Sequence, residues 1–388
     1  MSIAFIDLQA QRRRIAPDID RAMQAVLDHG GFVMGPEVRT FEQKLAEFGE
    51  AQHALGCANG TDALALALWA LEVAPGDAVF CPSFTFVATG EVIPWLGAQP
   101  VFVDIDPETY GIDPARLEAS IKATVAEGVL RPRAIIAVDL FGQPANYPAL
   151  SAIAQRHGLK LIADSAQGFG CTVDGKHPLH WADVTTTSFF PAKPLGCYGD
   201  GGAVLTDDAA LAERIDSLRV HGKATETDKS ENGAGASFEH DPKYWNMRVG
   251  MNSRLDTIQA AILLEKLAIF ADEIDRRNAI ARRYNERLEG HVEKRPVFID
   301  GHVSTWAQYT VEHGDRDGLI AHLREKGIPS AVYYPMPIHT QTVYGRYPVG
   351  PGGLPATERA AERVVSLPMH PYLDAETQDR IVDAVATY

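Results

Sequence analysis

The stretch FFPAKPLGCYGDGGA (189–203) holds the side chain with the clearest chemical potential. Lys193 stands between Pro191 and Pro194, and glycines follow. Prolines fix φ and glycines allow close backbone approach, so this amine is expected on a stiff, non-helical turn after a strand that ends at Phe190. An ε-amine held there can condense with an aldehyde cofactor, provided its pKa is lowered. The plainer reading is a surface lysine in a loop.

Three other stretches bear on that choice. LIADSAQGFG (161–170) puts Asp164 at the end of an apolar run, with Gln167 close behind. A carboxylate at a buried strand end needs a cationic or hydrogen-bonding partner. The protonated ring nitrogen of pyridoxal phosphate is one, because an acid there keeps the ring an electron sink; capping of a following helix is the alternative. In CANGTDALALAL (57–68), Gly60, Thr61 and Asp62 lie between a strand and a helix, where free N–H groups suit a phosphate. Asp62 serves equally well as a favourable charge at a helix start. In PSFTFVAT (82–89), Phe84 and Phe86 flank a strand-to-helix turn, where a ring either stacks on a flat cofactor or fills the core.

Elements able to position these residues are visible around them. HALGCA, AVFCP, PVFVDID, RAIIAVDL, LKLIADS, VTTTSFF and GGAVLT are short and apolar on both faces, with helical stretches such as TDALALALWALE and YPALSAIAQRHG between several of them. This alternation predicts an α/β fold with a mostly parallel, doubly wound sheet, and functional residues at its carboxyl edge. Residues 223–244 are polar and aperiodic and read as an exposed loop. LDTIQAAILLEKLAIFADEIDRRNAIARRYNERL then reads as one long or broken amphipathic helix. The chain of 388 residues, 46% hydrophobic, is long enough for two domains, expected as a large one over 1–265 and a smaller α+β one over 266–388.

Bulk properties exclude several function classes. A net charge of −15 argues against a nucleic-acid binder, and Arg12, Arg13 and Arg14 read as a solvated helix face. A nucleotide substrate stays compatible, since a pocket can be locally positive. Cys57, Cys81, Cys171 and Cys197 lack metal-ligand spacing and read as free thiols in a reducing compartment, with no metal expected. Neither a signal-peptide core nor an apolar run of about 18 residues is present, so a cytoplasmic protein without a membrane partner is expected.

The four chemical pieces come in one order: phosphate turn, aromatic, acid, lysine. Together they resemble the pyridoxal-phosphate transferases of fold type I, and more narrowly the DegT/StrS family of nucleotide-sugar aminotransferases. The similarity runs from FIDLQAQ (5–11) through MGPEVRTFEQKLAEF, VDIDPETY, DLFGQPA and VGMNSRLDTIQAAIL to YYPMPIHTQ (333–341) and SLPMHPYL (366–373). The resemblance implies that Lys193 carries the cofactor and shuttles the proton. Asp164 would pair with the ring nitrogen, Gln167 with the ring hydroxyl, and Phe86 would stack on the ring. Gly60, Thr61, Asp62 and Ser188 would hold the phosphate. Asn252 would reach it from the neighbouring subunit, which implies a homodimer with shared active sites. Arg254 and His339 would lie near the substrate. Some relatives replace the lysine by histidine and dehydrate, so Lys193 favours transamination. The segment 223–244 is longer than in many relatives and bears on which substrate enters.

The resemblance further implies L-glutamate as amino donor and a nucleotide-linked keto-sugar as acceptor. Within the family, FFPAKPLGCYGDGGA and VGMNSRLDTIQAAILLEKL are similar to enzymes that aminate C3 of UDP-2-acetamido-2-deoxy-3-oxo-glucuronate for bacterial surface polysaccharide such as lipopolysaccharide O-antigen. The rivals are a 4-keto-6-deoxyhexose on UDP or dTDP as acceptor, a non-catalytic regulatory protein that binds pyridoxal phosphate, and a metabolite-binding α/β protein without cofactor.

Overall fold

The computed structural model describes residues 3–231 and 244–388. The central sheet contains β1 (His53–Cys57), β2 (Asp77–Pro82), β3 (Gln99–Val103), β4 (Arg131–Val138), β5 (Lys160–Asp164) and, after the two-residue β6 (Thr172–Val173), β7 (Val184–Ser188) and β8 (Gly202–Thr206). Their order is β1-β8-β7-β5-β4-β2-β3. Pairing is parallel from β7 to β3, while β8 runs antiparallel to both β1 and β7. The seven apolar runs are therefore the seven strands of a mostly parallel sheet.

Alternate residues of each strand feed opposite cores, which is why the runs are apolar throughout. Val79 and Cys81 of β2 join one cluster with α4 (Gly60–Ala70), α5 (Ala88–Trp95) and α8 (Ala209–Leu218). Ala78 and Phe80 join the opposite one with α6 (Pro114–Glu127) and α7 (Tyr147–His157). Helix α4 is buried nearly all round, from Ala63 to Leu68 without a break. Before the sheet come α1 (Leu8–Arg14), α2 (Ala16–His29) and α3 (Pro36–Phe48).

Two expectations need correction. The strand expected to end at Phe190 stops at Ser188, because Phe189 already turns to accept Cys197 N at 2.8 Å and close a loop. Within the expected loop 223–244, Glu226–Glu231 is helical and forms α9. The cause is a reciprocal cap: Asp228 N donates to Thr225 Oγ1 at 3.0 Å and Thr225 N to an Asp228 carboxylate oxygen at 2.8 Å. Residues 232–243 of that segment lie outside the described residues.

Helix α10 (Thr257–Arg287) is continuous over 31 residues. Leu263, Phe270 and Ile274 pack with α3 and with Phe189 and Leu195 of the lysine loop. From Ile280 onward the helix belongs to a second core with Trp306, Tyr309, Leu319, Val365 and Ile381. After β9 (His302–Val303), the antiparallel pair β10 (Tyr309–Glu312) and β11 (Val364–Leu367) and the helices α11 (Arg316–Glu325), α12 (Pro355–Arg363) and α13 (Ala375–Ala386) complete an α+β unit. Ile3 packs there too, so the chain's start joins its end. The four cysteines are buried and unpaired. Among the described residues no helix is long and apolar enough to cross a membrane.

Candidate active site

The carboxyl ends of β1, β5 and β7 and the start of the reversed β8 meet at one edge of the sheet. The link between β7 and β8 carries Lys193. This link folds back on itself: Lys193 N donates to Phe190 O at 2.8 Å. A Cβ on Gly196 would lie 2.6 Å from the carbonyl oxygens of Phe190 and Pro191, so only glycine lets the loop close there. The Lys193 side chain is half-buried and, among the described residues, makes no hydrogen bond or ion pair. Burial pulls its pKa down, opposed by the charge of Asp164. A larger unprotonated fraction makes the amine a better nucleophile.

Asp164 ends β5 and is buried. Its carboxylate accepts from Thr89 Oγ1 at 2.8 Å and from Ala166 N at 3.3 Å. Thr89 comes from the first turn of α5 and is itself steadied by Thr85 at 3.1 Å. Burial pushes the Asp164 pKa up, while those two hydrogen bonds and Lys193 work the other way. A turn, not a helix, follows Asp164, which removes the capping reading. Gln167 accepts from Phe141 N at 2.8 Å through Oε1 and donates from Nε2 to Tyr334 Oη at 2.9 Å.

The two phenylalanines separate cleanly. Phe84 is fully buried against Tyr110 and Phe141 and is core. Phe86 is 51% exposed and 6.2 Å from the Tyr334 ring, a large apolar face left open at the edge where Asp164 and Lys193 lie. At the start of α4, Asn59 caps the helix by accepting from Asp62 N at 2.8 Å. Gly60 and Thr61 hold the first helical N–H groups, where the helix dipole favours an anion. A Cβ on Gly60 would sit 2.6 Å from Ser188 Cβ, so that glycine brings the helix start against the end of β7. Asp62 is half-buried in the same turn, where its charge suits the helix start in any case.

The remaining expected residues sit differently. Asn252 is exposed on the turn before α10, and its neighbour Ser253 accepts from Ala58 N at 3.1 Å, which ties that turn to the β1–α4 link. Arg254 is half-buried with no ion pair among the described residues. The ring of His339 is engaged within the chain, Nδ1 with Ser83 Oγ at 2.8 Å and Nε2 with Glu358 at 3.3 Å. Sequence reasoning passed over Asn59, Thr89 and Tyr334. The Asn-Gly before α4 was a readable cap signal; nothing local marks Thr89 as the partner of Asp164 or Tyr334 as that of Gln167, since both contacts cross the fold.

These residues fit pyridoxal phosphate. An amine with lowered pKa stands near a buried carboxylate short of a cation, beside a helix start whose glycine a side chain would block and an exposed aromatic ring. Comparison with known proteins agrees. The model of the DegT/DnrJ/EryC1/StrS aminotransferase family matches residues 13–386. A Pseudomonas aeruginosa protein, UDP-2-acetamido-2-deoxy-3-oxo-D-glucuronate aminotransferase, is 45% identical over 372 residues, 96% of each chain. The crystal structure of a DegT DnrJ EryC1 StrS aminotransferase from Brucella abortus superposes with a TM-score of 0.93 at 50% identity over 99% of both chains. NtdA from Bacillus subtilis, solved with bound cofactor PMP, has a TM-score of 0.82 at 29% identity over 98% of this chain and 82% of that one. The chain belongs to this family and is an aminotransferase that works with pyridoxal phosphate.

Proposed function

We propose that this member of the DegT/DnrJ/EryC1/StrS aminotransferase family moves an amino group from L-glutamate to C3 of UDP-2-acetamido-2-deoxy-3-oxo-glucuronate, a step toward bacterial surface polysaccharide. The acceptor is the one in the name of the Pseudomonas aeruginosa relative. The observation that carries the chemistry is the free amine of Lys193 in the field of the buried Asp164.

Pyridoxal phosphate, when bound, supplies an electron sink that stabilises negative charge at the carbon losing its proton. The rest falls to the chain. Asp164 holds a proton on the ring nitrogen, and its burial strengthens that contact. Gln167, fixed by Phe141 and Tyr334, meets the ring hydroxyl. Phe86 covers one ring face. Gly60, Thr61 and Ser188 take the phosphate, joined by Asn252 of a second copy across a two-fold axis, while Asp62, whose N–H is held by Asn59, orders the same turn. Lys193 takes the proton from the donor's Cα and returns it at the cofactor's C4′ carbon, acting as base and then as acid. Arg254 and His339 stand toward the sugar nucleotide. The enzyme works as a cytoplasmic homodimer.

The direct experiment offers the purified protein L-glutamate with a panel of UDP- and dTDP-linked keto-sugars and identifies the aminated carbon. Amination at C3 of the UDP-linked uronate is expected. Preference for a 4-keto-6-deoxyhexose would replace the acceptor; a yellow protein that aminates nothing would point to a regulatory role. Subunit exchange tests the shared site. Lys193→Ala and Asn252→Ala proteins, each inactive, should recover about a quarter of wild-type activity when mixed, because half the dimers then carry one intact site. No recovery after confirmed exchange would remove Asn252 from the partner's site.

A further inference from the structure

A buried lysine on α10 touches the same loop. Lys266 on α10 is 1% exposed. A lysine is rarely placed so deep unless its ammonium is satisfied. Here Nζ donates to Gly196 O at 2.6 Å and lies 4.2 Å from the centroid of the Tyr198 ring. One heptad earlier, on the same face of the helix, Gln259 accepts from Tyr198 N through Oε1 at 2.9 Å. Both contacts land just beyond Lys193, on the segment that closes at Gly196 against the carbonyls of Phe190 and Pro191. An apolar side chain would fill the same space. The ammonium adds a directed, charge-assisted bond to the residue at which the loop reverses.

We propose that Lys266 is a positioning residue: its ammonium, acting through the Gly196 carbonyl with Gln259 as second anchor, fixes the loop so that Lys193 presents its amine to the cofactor's aldehyde. The inference rests on the reading of Lys193 as the cofactor-bearing residue. Lys266 itself has no free route to that chemistry, since Nζ is bonded to Gly196 and covered by Tyr198. Burial brings its pKa down to about 8, while Cys197 and Glu273 oppose the fall, so the ammonium form prevails at neutral pH. A charged donor held so firmly is suited to orienting a loop.

The test uses the full-length protein stripped of cofactor. Pyridoxal phosphate is added back, borohydride traps the adduct at intervals, and the labelled peptide is weighed. Thermal melting is recorded in parallel. Lys266→Met should slow labelling of Lys193 by about tenfold or more, in line with the cost of a small misplacement at a reacting group. Lys266→Arg, which keeps the cation and its donors, should restore most of the rate. In steady state the loss should appear in kcat with little change in KM for the sugar nucleotide. Labelling of Lys193 at the wild-type rate in Lys266→Met, even in a protein that melts earlier, would show that Lys266 only supports the core and would overturn the proposal. Should Lys266→Met fail to fold, Gln259→Ala serves instead, with slowing of about threefold expected; an unchanged rate there also overturns it. If the wild-type protein takes its label at another residue, the reading of Lys193 itself fails, and this inference with it.

Discussion

Strands β4 and β5 lie side by side, and each delivers a buried aspartate to the same edge of the sheet, yet the two carboxylates live in opposite conditions. Asp139, just past β4, is completely buried and saturated: it accepts from Ser165 Oγ at 2.5 Å, Tyr147 Oη at 2.7 Å and Ala145 N at 3.0 Å. Gly168 has to be glycine beside it, because a Cβ there would fall 2.2 Å from Asp139 Cβ. Asp164 has two neutral donors, Thr89 and Ala166, and the charge acting on it is that of Lys193. Burial raises both pKa values, that of Asp139 to about 6. A carboxylate met by three donors organises the turn around it. One left short of donors has capacity for a ligand's cation.

Asparagine substitutions break this comparison at its strongest point. Asp164→Asn should fold normally and lose about a hundredfold or more in kcat, the scale of losing a charge partner in a preorganised site. Near-normal turnover would put the ring nitrogen elsewhere. Thr89→Val should cost roughly tenfold, because one hydrogen bond to a charged group is worth about 1.5–3 kcal/mol. An effect confined to stability would make Thr89 part of the core alone. Asp139→Asn should change turnover least, by about threefold at most, since Asn still accepts from Tyr147 and Ala145.

That last variant should instead alter the response to pH. The folded-state pKa of Asp139, about 6, lies above the ordinary aspartate value near 3.9, so the stabilisation it contributes is full at low pH and is lost as pH rises through 6. The wild type should therefore lose up to about 3 kcal/mol relative to Asp139→Asn between pH 4 and pH 7. Melting curves of the two proteins across that range measure it. A constant gap would mean that Asp139 titrates like an exposed aspartate.

The same pair shows what could be read from the chain. IIAVDL and LIADS are equivalent as sequence: an apolar run ending in aspartate. The resemblance singled out Asp164, and nothing in composition or spacing set Asp139 aside, because the groups that saturate it arrive from α7 and from the next strand's exit. The seven strands were legible because a sheet covered on both faces needs unbroken apolar runs. The end of β7 was misplaced at Phe190 because the aromatic pair continues the strand's composition after its pairing has stopped. Helix α9 was missed although Thr225 and Asp228 stand at capping-box spacing, since polar residues dominate the segment. His339 was expected near the substrate, but its ring partners Ser83 and Glu358 come from distant parts of the chain and nothing local marks them.

The reversed direction of β8 bears on the order of folding. Because β8 pairs antiparallel with β7, the two form a hairpin spanning Val184–Thr206, closed by the loop that bears Lys193. Asp164 and Gly60 reach the same edge only after long crossovers have formed. Chain segments near in sequence meet at a lower entropic cost and sooner than distant ones. The loop of Lys193 should then acquire its shape while the rest of that edge is still unstructured, ready for Asp164 and the start of α4 to be assembled onto it. Pulse-labelled hydrogen exchange during refolding reads that order directly: amides of 184–206 should gain protection before those of β5, and the reverse sequence of events would refute it.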